Sequence, residues 1–314
     1  MKVGLIVDSA CDLPHDFIRE HDVFILPLTA KIDGQTFVDD HDEDTTADFY
    51  RQGLLGKGHH AETEAFSVEQ IRDLFLEQIV PNYDVAICET ADRTRSQIYD
   101  NATDAMHMVM ADARDVREKA GLSGNFSMRV IDSGQLFAAQ GLLAAYTIDL
   151  MKKGLDKNQL RHEVEKFSAN LWNCVVPRDL HYIRERARRR GDKSVSGVVA
   201  FLGKALSITP IIWGQGVIAK PVAKTRSMDA AVEKVMDYAT RRVEAGLLTP
   251  IVSVSCGMSW EEIEALPGLD RLQRACDNHG VRLLVSQMGI TSNIYLGPGS
   301  ICLSLAAEDH AFDA

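Results

Sequence analysis

The chain opens on a near-continuous apolar run, Val3, Leu5, Ile6 and Val7, which is the pattern of a strand covered on both faces. The run passes directly into Asp8-Ser9-Ala10-Cys11-Asp12-Leu13-Pro14, where Asp, Ser and Pro supply turn and helix-start chemistry. Strand and helix patterns then alternate. Leu13 to His21 predicts a short helix and Val23 to Leu28 a second strand. Lys31 to Val38 predicts a hairpin turned at Asp33-Gly34. Asp42 to Gly53 reads as a helix. Ser67 and Gln70 stand at capping-box spacing before a helix whose apolar face is Ile71, Leu74, Phe75 and Ile79. Asp84 to Cys88 is a third core strand, Ser96 to about Lys119 a long helix, and Ser127 to Ser133 a strand that again ends in Asp-Ser. Gly141 to Lys153 is helical. This alternation predicts a mostly parallel sheet flanked by helices.

The second half follows a different grammar. Leu160 to Leu171, Leu180 to Arg190 and Arg226 to Ala245 read as helices. Asn173 to Val176, Ile251 to Ser255 and Arg282 to Ser286 read as strands. Asn293 to Leu296 and Ile301 to Leu305 read as a strand pair around Gly297-Pro298-Gly299. The expected fold class is therefore α/β with two domains. Residues 1–155 form an N-terminal mostly parallel sheet flanked by helices, and residues 156–314 a second α/β domain with a mixed or antiparallel sheet. The boundary is placed after Lys152-Lys153-Gly154.

Length agrees with this division, since 314 residues are comfortable for two cores. A net charge of −11 argues against a general nucleic-acid binder. The apolar run Ile208 to Trp213 is broken by Pro210 and falls far short of the roughly 20 residues that span a bilayer. The N-terminus lacks the apolar length of a signal peptide. Six scattered cysteines without a C-x-x-C pair indicate neither a zinc ribbon nor a redox motif, and reduced thiols in the cytoplasm are the expectation.

In open α/β sheets ligands collect at the carboxyl ends of strands, which makes the Asp8-to-Pro14 junction a candidate ligand-facing turn. The alternative there is an ordinary strand-to-helix turn in which Asp8 or Ser9 caps the next helix.

Five segments in order, Asp8 to Pro14, Pro27-Leu28, Thr63-Glu64-Ala65-Phe66-Ser67, Ser96 to Ala102 and Val130-Ile131-Asp132-Ser133, together resemble the DegV family of bacterial fatty-acid-binding proteins. Leu206 to Ile211 and Gly297-Pro298-Gly299 extend the resemblance over nearly the whole chain. It implies a two-domain α/β protein that binds one long-chain fatty acid without chemistry of its own. The acyl tail would lie in an apolar tunnel, using residues from Val195 to Ile212 and from the last strands. A separate kinase forming an acyl phosphate is implied as a partner. By position, Thr63 and Ser96 match the family's carboxylate clamp. Gln97, Ser133 and Tyr295 complete the candidate ligand-binding set, with no cofactor or metal beside the fatty acid. Hydroxyl donors suit a carboxylate, which offers acceptors only. Ser96 also stands at an expected helix start, where an anion and a plain N-cap are both at home.

The chain departs from the pattern at several places. Gln97 and Ile98 replace a Gly-Thr, and Glu64-Ala65-Phe66 bring a carboxylate toward the headgroup. Tyr295 replaces a His, exchanging a cation for a dipole. The basic run Arg184, Arg186, Arg188, Arg189 and Arg190 reads either as a solvated helix face or as a docking patch for the kinase or an anionic membrane surface. Asp39 to Asp44 lack the ligand spacing and turn glycine of a hard-metal loop. The competing enzyme reading is a metal-dependent hydrolase or phosphoryl-transfer protein using Asp8, Asp12 and Asp132 at strand ends.

Overall fold

The apolar opening run forms β1 (Val3–Asp8), buried over nearly its whole length between parallel neighbours β2 (Phe24–Leu26) and β6 (Val85–Thr90) in the computed structural model. Residues 2–55, 59–189, 208–216 and 218–313 are described. With β7 (Ser127–Asp132) these strands make a parallel sheet ordered β2-β1-β6-β7. Pro27 interrupts the predicted second strand. The chain leaves that sheet and enters a three-stranded antiparallel one, ordered β4-β3-β5, from β3 (Leu28–Ile32), β4 (Gln35–Asp39) and β5 (Ala61–Ala65). Asp33 and Gly34 turn the hairpin with φ of 48° and 84°, the left-handed pair that a two-residue hairpin requires.

The second half builds a six-stranded mixed sheet ordered β10-β9-β8-β13-β11-β12. Its strands are β8 (Leu171–Val176), β9 (Thr209–Gln215), β10 (Ile218–Thr225), β11 (Ile251–Cys256), β12 (Arg282–Gln287) and β13 (Ile301–Ala306). Asn293 to Leu296, expected as a strand, instead belongs to a helix, and only Ile301 onward continues as strand.

Helices α1 (His15–Glu20), α2 (Glu43–Gln52), α3 (Val68–Leu74), α4 (Ile98–Lys119), α5 (Phe137–Lys152) and α6 (Lys157–Ser168) accompany the first two sheets. The predicted capping box at Ser67 and Gln70 is formed. The long helix begins at Ile98, two residues later than its hydrophobic pattern suggested, with Gln97 at the cap position. α7 (Leu180–Arg189), α8 (Met228–Ala245), α9 (Trp260–Glu264), α10 (Leu269–His279) and α11 (Ile290–Leu296) follow.

α5 is apolar on every side because it lies between the two large sheets. Its Leu142, Leu143 and Ile148 share one core with Leu5 and Ile87 of the parallel sheet and with Ile251 and Leu284 of the mixed sheet. A Cβ on Gly141 would lie 2.1 Å from the Asp12 carbonyl oxygen, so only glycine lets α5 approach the opening turn this closely. Among the described residues, no helix is long and apolar enough to cross a membrane.

Candidate functional site

In the parallel sheet the chain departs to opposite sides from β1 and β6, so the topological switch point lies between their carboxyl ends. That point is filled from within. The Asp8 carboxylate accepts hydrogen bonds from the Ala10 amide at 2.9 Å and from the Ala91 amide. Asp8 is fully buried, and burial pushes its carboxyl up to about 6. Ser9 accepts from the Leu28 amide at 2.8 Å and donates to the Asp39 carbonyl, pinning β3 to the end of β4. The hydrogen-bonding groups of Asp8 and Ser9 are therefore spent within the fold.

The open cleft lies just beyond, with a volume of about 550 Å³. One wall is β5, the edge strand of the small sheet, with Glu62, Thr63, Glu64 and Ala65. The other is the loop from β6 to α4, with Arg93 to Gln97, and Asn101 one turn into the helix. Tyr295 of α11 completes the lining. The cleft thus brings together Thr63, Ser96, Gln97 and Tyr295. Thr63 sits on a strand, opposite Ala30. Ser96, one residue before the cap position, accepts from the Ile98 amide at 3.2 Å through its Oγ in a local turn and keeps its own proton to give. Ser96 is therefore not the N-cap of α4, whose cap position is Gln97.

Tyr295 lines the cleft and also supports it. Its hydroxyl donates to the Arg95 carbonyl at 3.2 Å, so its proton holds the loop that carries Ser96. Ser133 lies outside the cleft. It is buried, accepts from the Gln135 amide at 3.0 Å and shapes the turn after β7.

Arg93 and Arg95 escaped sequence reasoning. Their signal was available, since both follow the carboxyl end of a core strand, where ligands gather. The Arg93 guanidinium lies 4.9 Å from the Tyr99 ring centroid and donates to Asp100 Oδ1 at 3.2 Å. Its amide donates to Asp132 Oδ1 at 3.2 Å. On the facing wall Glu64 pairs with Lys31, so its charge is met within the small sheet. The two walls carry opposite formal charge, and the cations lie beside Ser96.

Tyr295 also packs against an apolar cluster. Phe137, Ile183, Met288 and Leu296 form a buried cluster, with Val175 and Tyr182 half-buried against it. Val175 pairs with Ile212 across β8 and β9, both half-buried. The expected tunnel residues from Val195 to Ser207 lie outside the described residues, as do Arg190 and the side chains of Arg184, Arg188 and Arg189. Arg186 is described and is buried. Its guanidinium lies over the Tyr182 ring at 4.9 Å and donates to the Ala61 carbonyl of β5. It belongs to neither a solvated face nor a docking patch.

Two of the three carboxyls of the hydrolase reading are enclosed. Asp8 and Asp12 have no solvent exposure, and both are pushed up to about 6 by burial. Asp132 is half-buried and is occupied by the amides of Arg93 and Gly134. Among the described residues, no three His, Cys, Asp or Glu side chains are placed to hold a metal ion.

The profile of the DegV family matches residues 2–308. A DegV domain-containing protein of Xanthomonas axonopodis pv. citri is 41% identical over 314 residues, covering all of both chains. Among solved structures, a stearic acid-binding protein from Eubacterium ventriosum superposes with a TM-score of 0.77 at 22% identity, covering 98% of each chain. A DegV lipid-binding protein from Thermotoga maritima superposes with a TM-score of 0.72 at 18% identity, covering 99% of this chain and all of the other.

Proposed function

The chain belongs to the DegV family, and we propose that it binds one long-chain fatty acid as a carrier rather than an enzyme. The carboxylate would lie in the cleft between Thr63 and Ser96, with Gln97 at its rim, and the acyl tail would pass Tyr295 into the apolar region between the halves. The observation that carries this reading is the convergence of Thr63, on the small sheet, and Ser96, on the loop after β6, at one cleft whose Tyr295 also packs against a buried apolar cluster. Each buried CH₂ contributes about 0.8 kcal/mol, so the tail supplies most of the affinity and the hydroxyls set orientation.

Titration with stearate, followed by calorimetry and native mass spectrometry, tests the proposal. Binding of one molecule is expected, with Thr63→Val and Ser96→Ala each weakening it about tenfold, the scale of one hydrogen bond to a charged group. A wild-type chain that takes up no fatty acid of any length would overturn the reading.

A kinase forming the acyl phosphate, or an anionic membrane surface, would meet the basic helix α7, with Arg186 withdrawn from that surface because it is buried. The cytoplasm fits six buried free cysteines.

A further inference from the structure

α11 spans seven residues, and helices this short do not hold themselves together in water. Its ends are held by other elements. At the start, Asp12 Oδ1 accepts from the Gly289 amide at 3.2 Å and from Ser292 Oγ at 2.8 Å. Asp39 Oδ2 accepts from the Thr291 amide at 2.6 Å. Both carboxyls come from the first half of the chain, and both are buried, at 0% and 1% exposure. Acceptors here satisfy otherwise orphaned amides and complement the helix dipole. Tyr50 of α2 adds a donation to the Met288 carbonyl at 3.0 Å.

The other end of α11 reaches the cleft. Tyr182 donates to the Ile294 carbonyl at 3.2 Å, and Tyr295 donates to the Arg95 carbonyl, immediately before Ser96. A second route starts from the same opening turn. The Phe137 amide donates to the Ala10 carbonyl at 2.8 Å, holding Phe137 at a φ of 56°, which a bulky side chain rarely adopts. The Phe137 ring meets Tyr295 edge-on, with centroids 6.0 Å apart.

We propose that Asp12 and Asp39 are positioning residues for the headgroup loop, acting through α11 and the Tyr295 hydroxyl. The inference rests on the fatty-acid reading for its effect on affinity, while its structural content is independent of any ligand. It gives the opening turn a functional task at second hand. The turn places the helix that places the loop that carries Ser96.

The test combines amide hydrogen exchange on the ligand-free protein with stearate titration. Asp39→Asn keeps an acceptor for Thr291 but removes the charge. It is expected to raise exchange both in residues 290–296 and in residues 93–98, and to weaken stearate binding about three- to tenfold. Tyr295→Phe is expected to raise exchange in residues 93–98 alone, with a similar loss of affinity. In the double variant the loop and affinity effects should not add, because both substitutions break one relay. If Asp39→Asn does not fold, Ser292→Ala, which removes one donation to Asp12, replaces it with the same expectations. Loosening of residues 290–296 that leaves residues 93–98 unchanged, or fully additive losses, would overturn the proposal. A wild-type chain that binds no stearate would remove the fatty-acid reading, while the exchange comparison would still decide the relay.

Discussion

Glu89 shows what burial does to a single side chain in this protein. It lies within the central strand β6, without solvent exposure, and accepts a hydrogen bond from the Thr147 hydroxyl. Burial pushes its carboxyl up to about 7. A carboxyl raised on folding binds its proton more tightly in the native state. Its contribution is therefore fully present at low pH and is lost as pH rises from about 4.5 through 7. The loss is on the order of 3 kcal/mol. Asp8 and Asp12 act in the same direction over a window ending near pH 6. Glu89→Gln preserves an acceptor for Thr147 and cannot ionise. It is expected to raise the melting temperature relative to wild type more at pH 8 than at pH 5, measured by differential scanning calorimetry. An equal shift at both pH values would contradict the ionisation argument. At the same scale, Arg186 shows how a residue type misleads. Five arginines in one short run look solvated, yet this one spends its guanidinium on the Ala61 carbonyl and the Tyr182 ring.

At the scale of elements, α5 is the piece on which the others depend. Its closeness to the opening turn rests on Gly141, where an added methyl would meet the Asp12 carbonyl oxygen at 2.1 Å. Backbone cannot yield as a flexible side chain would, so Gly141→Ala is expected to cost about 2–4 kcal/mol in urea unfolding, despite alanine's better helix propensity. A stabilised variant would show that the contact relaxes freely. Strands β8 and β9 of the mixed sheet are tied to the C-terminal tail in another way. Trp172 and Trp213 stack with centroids 4.3 Å apart, and Tyr238 contacts His310 of the C-terminal tail at 2.7 Å. The indole N–H groups of both tryptophans are satisfied within this cluster, by the Ala307 carbonyl and the Tyr238 hydroxyl, which marks it as a structural staple.

At the scale of the molecule, the division at residues 155 and 156 remains our proposal for how the chain is organised, and the packing bears on how the parts behave. α5 precedes that division, yet it contacts strands of both large sheets and lies in one continuous core with them. α6 follows it and packs against α5 and β7. Two halves sharing a helix in this way lose much of their apolar burial if they part. One cooperative calorimetric transition is therefore expected, with van't Hoff and calorimetric enthalpies in agreement. Two resolved transitions would show that α5 can leave one sheet while remaining on the other.

Local pattern alone determined the parallel sheet, the Asp33-Gly34 hairpin, the capping box at Ser67 and the helical stretches around them. Each depends on neighbours within a few residues, where periodicity and turn chemistry act directly. The ordered motifs also point to Thr63 and Ser96. The tertiary structure decided the rest. It put Thr63 on an edge strand facing the Ser96 loop, brought Arg93 and Arg95 to the same cleft, and set the Tyr295 hydroxyl on the Arg95 carbonyl. Asn293 to Leu296 carries the Ile and Tyr of a strand, but Asp12 and Asp39 cap the segment as a helix from the far end of the chain. Such contacts outweigh local propensity because a buried amide must find an acceptor, wherever in the sequence that acceptor lies.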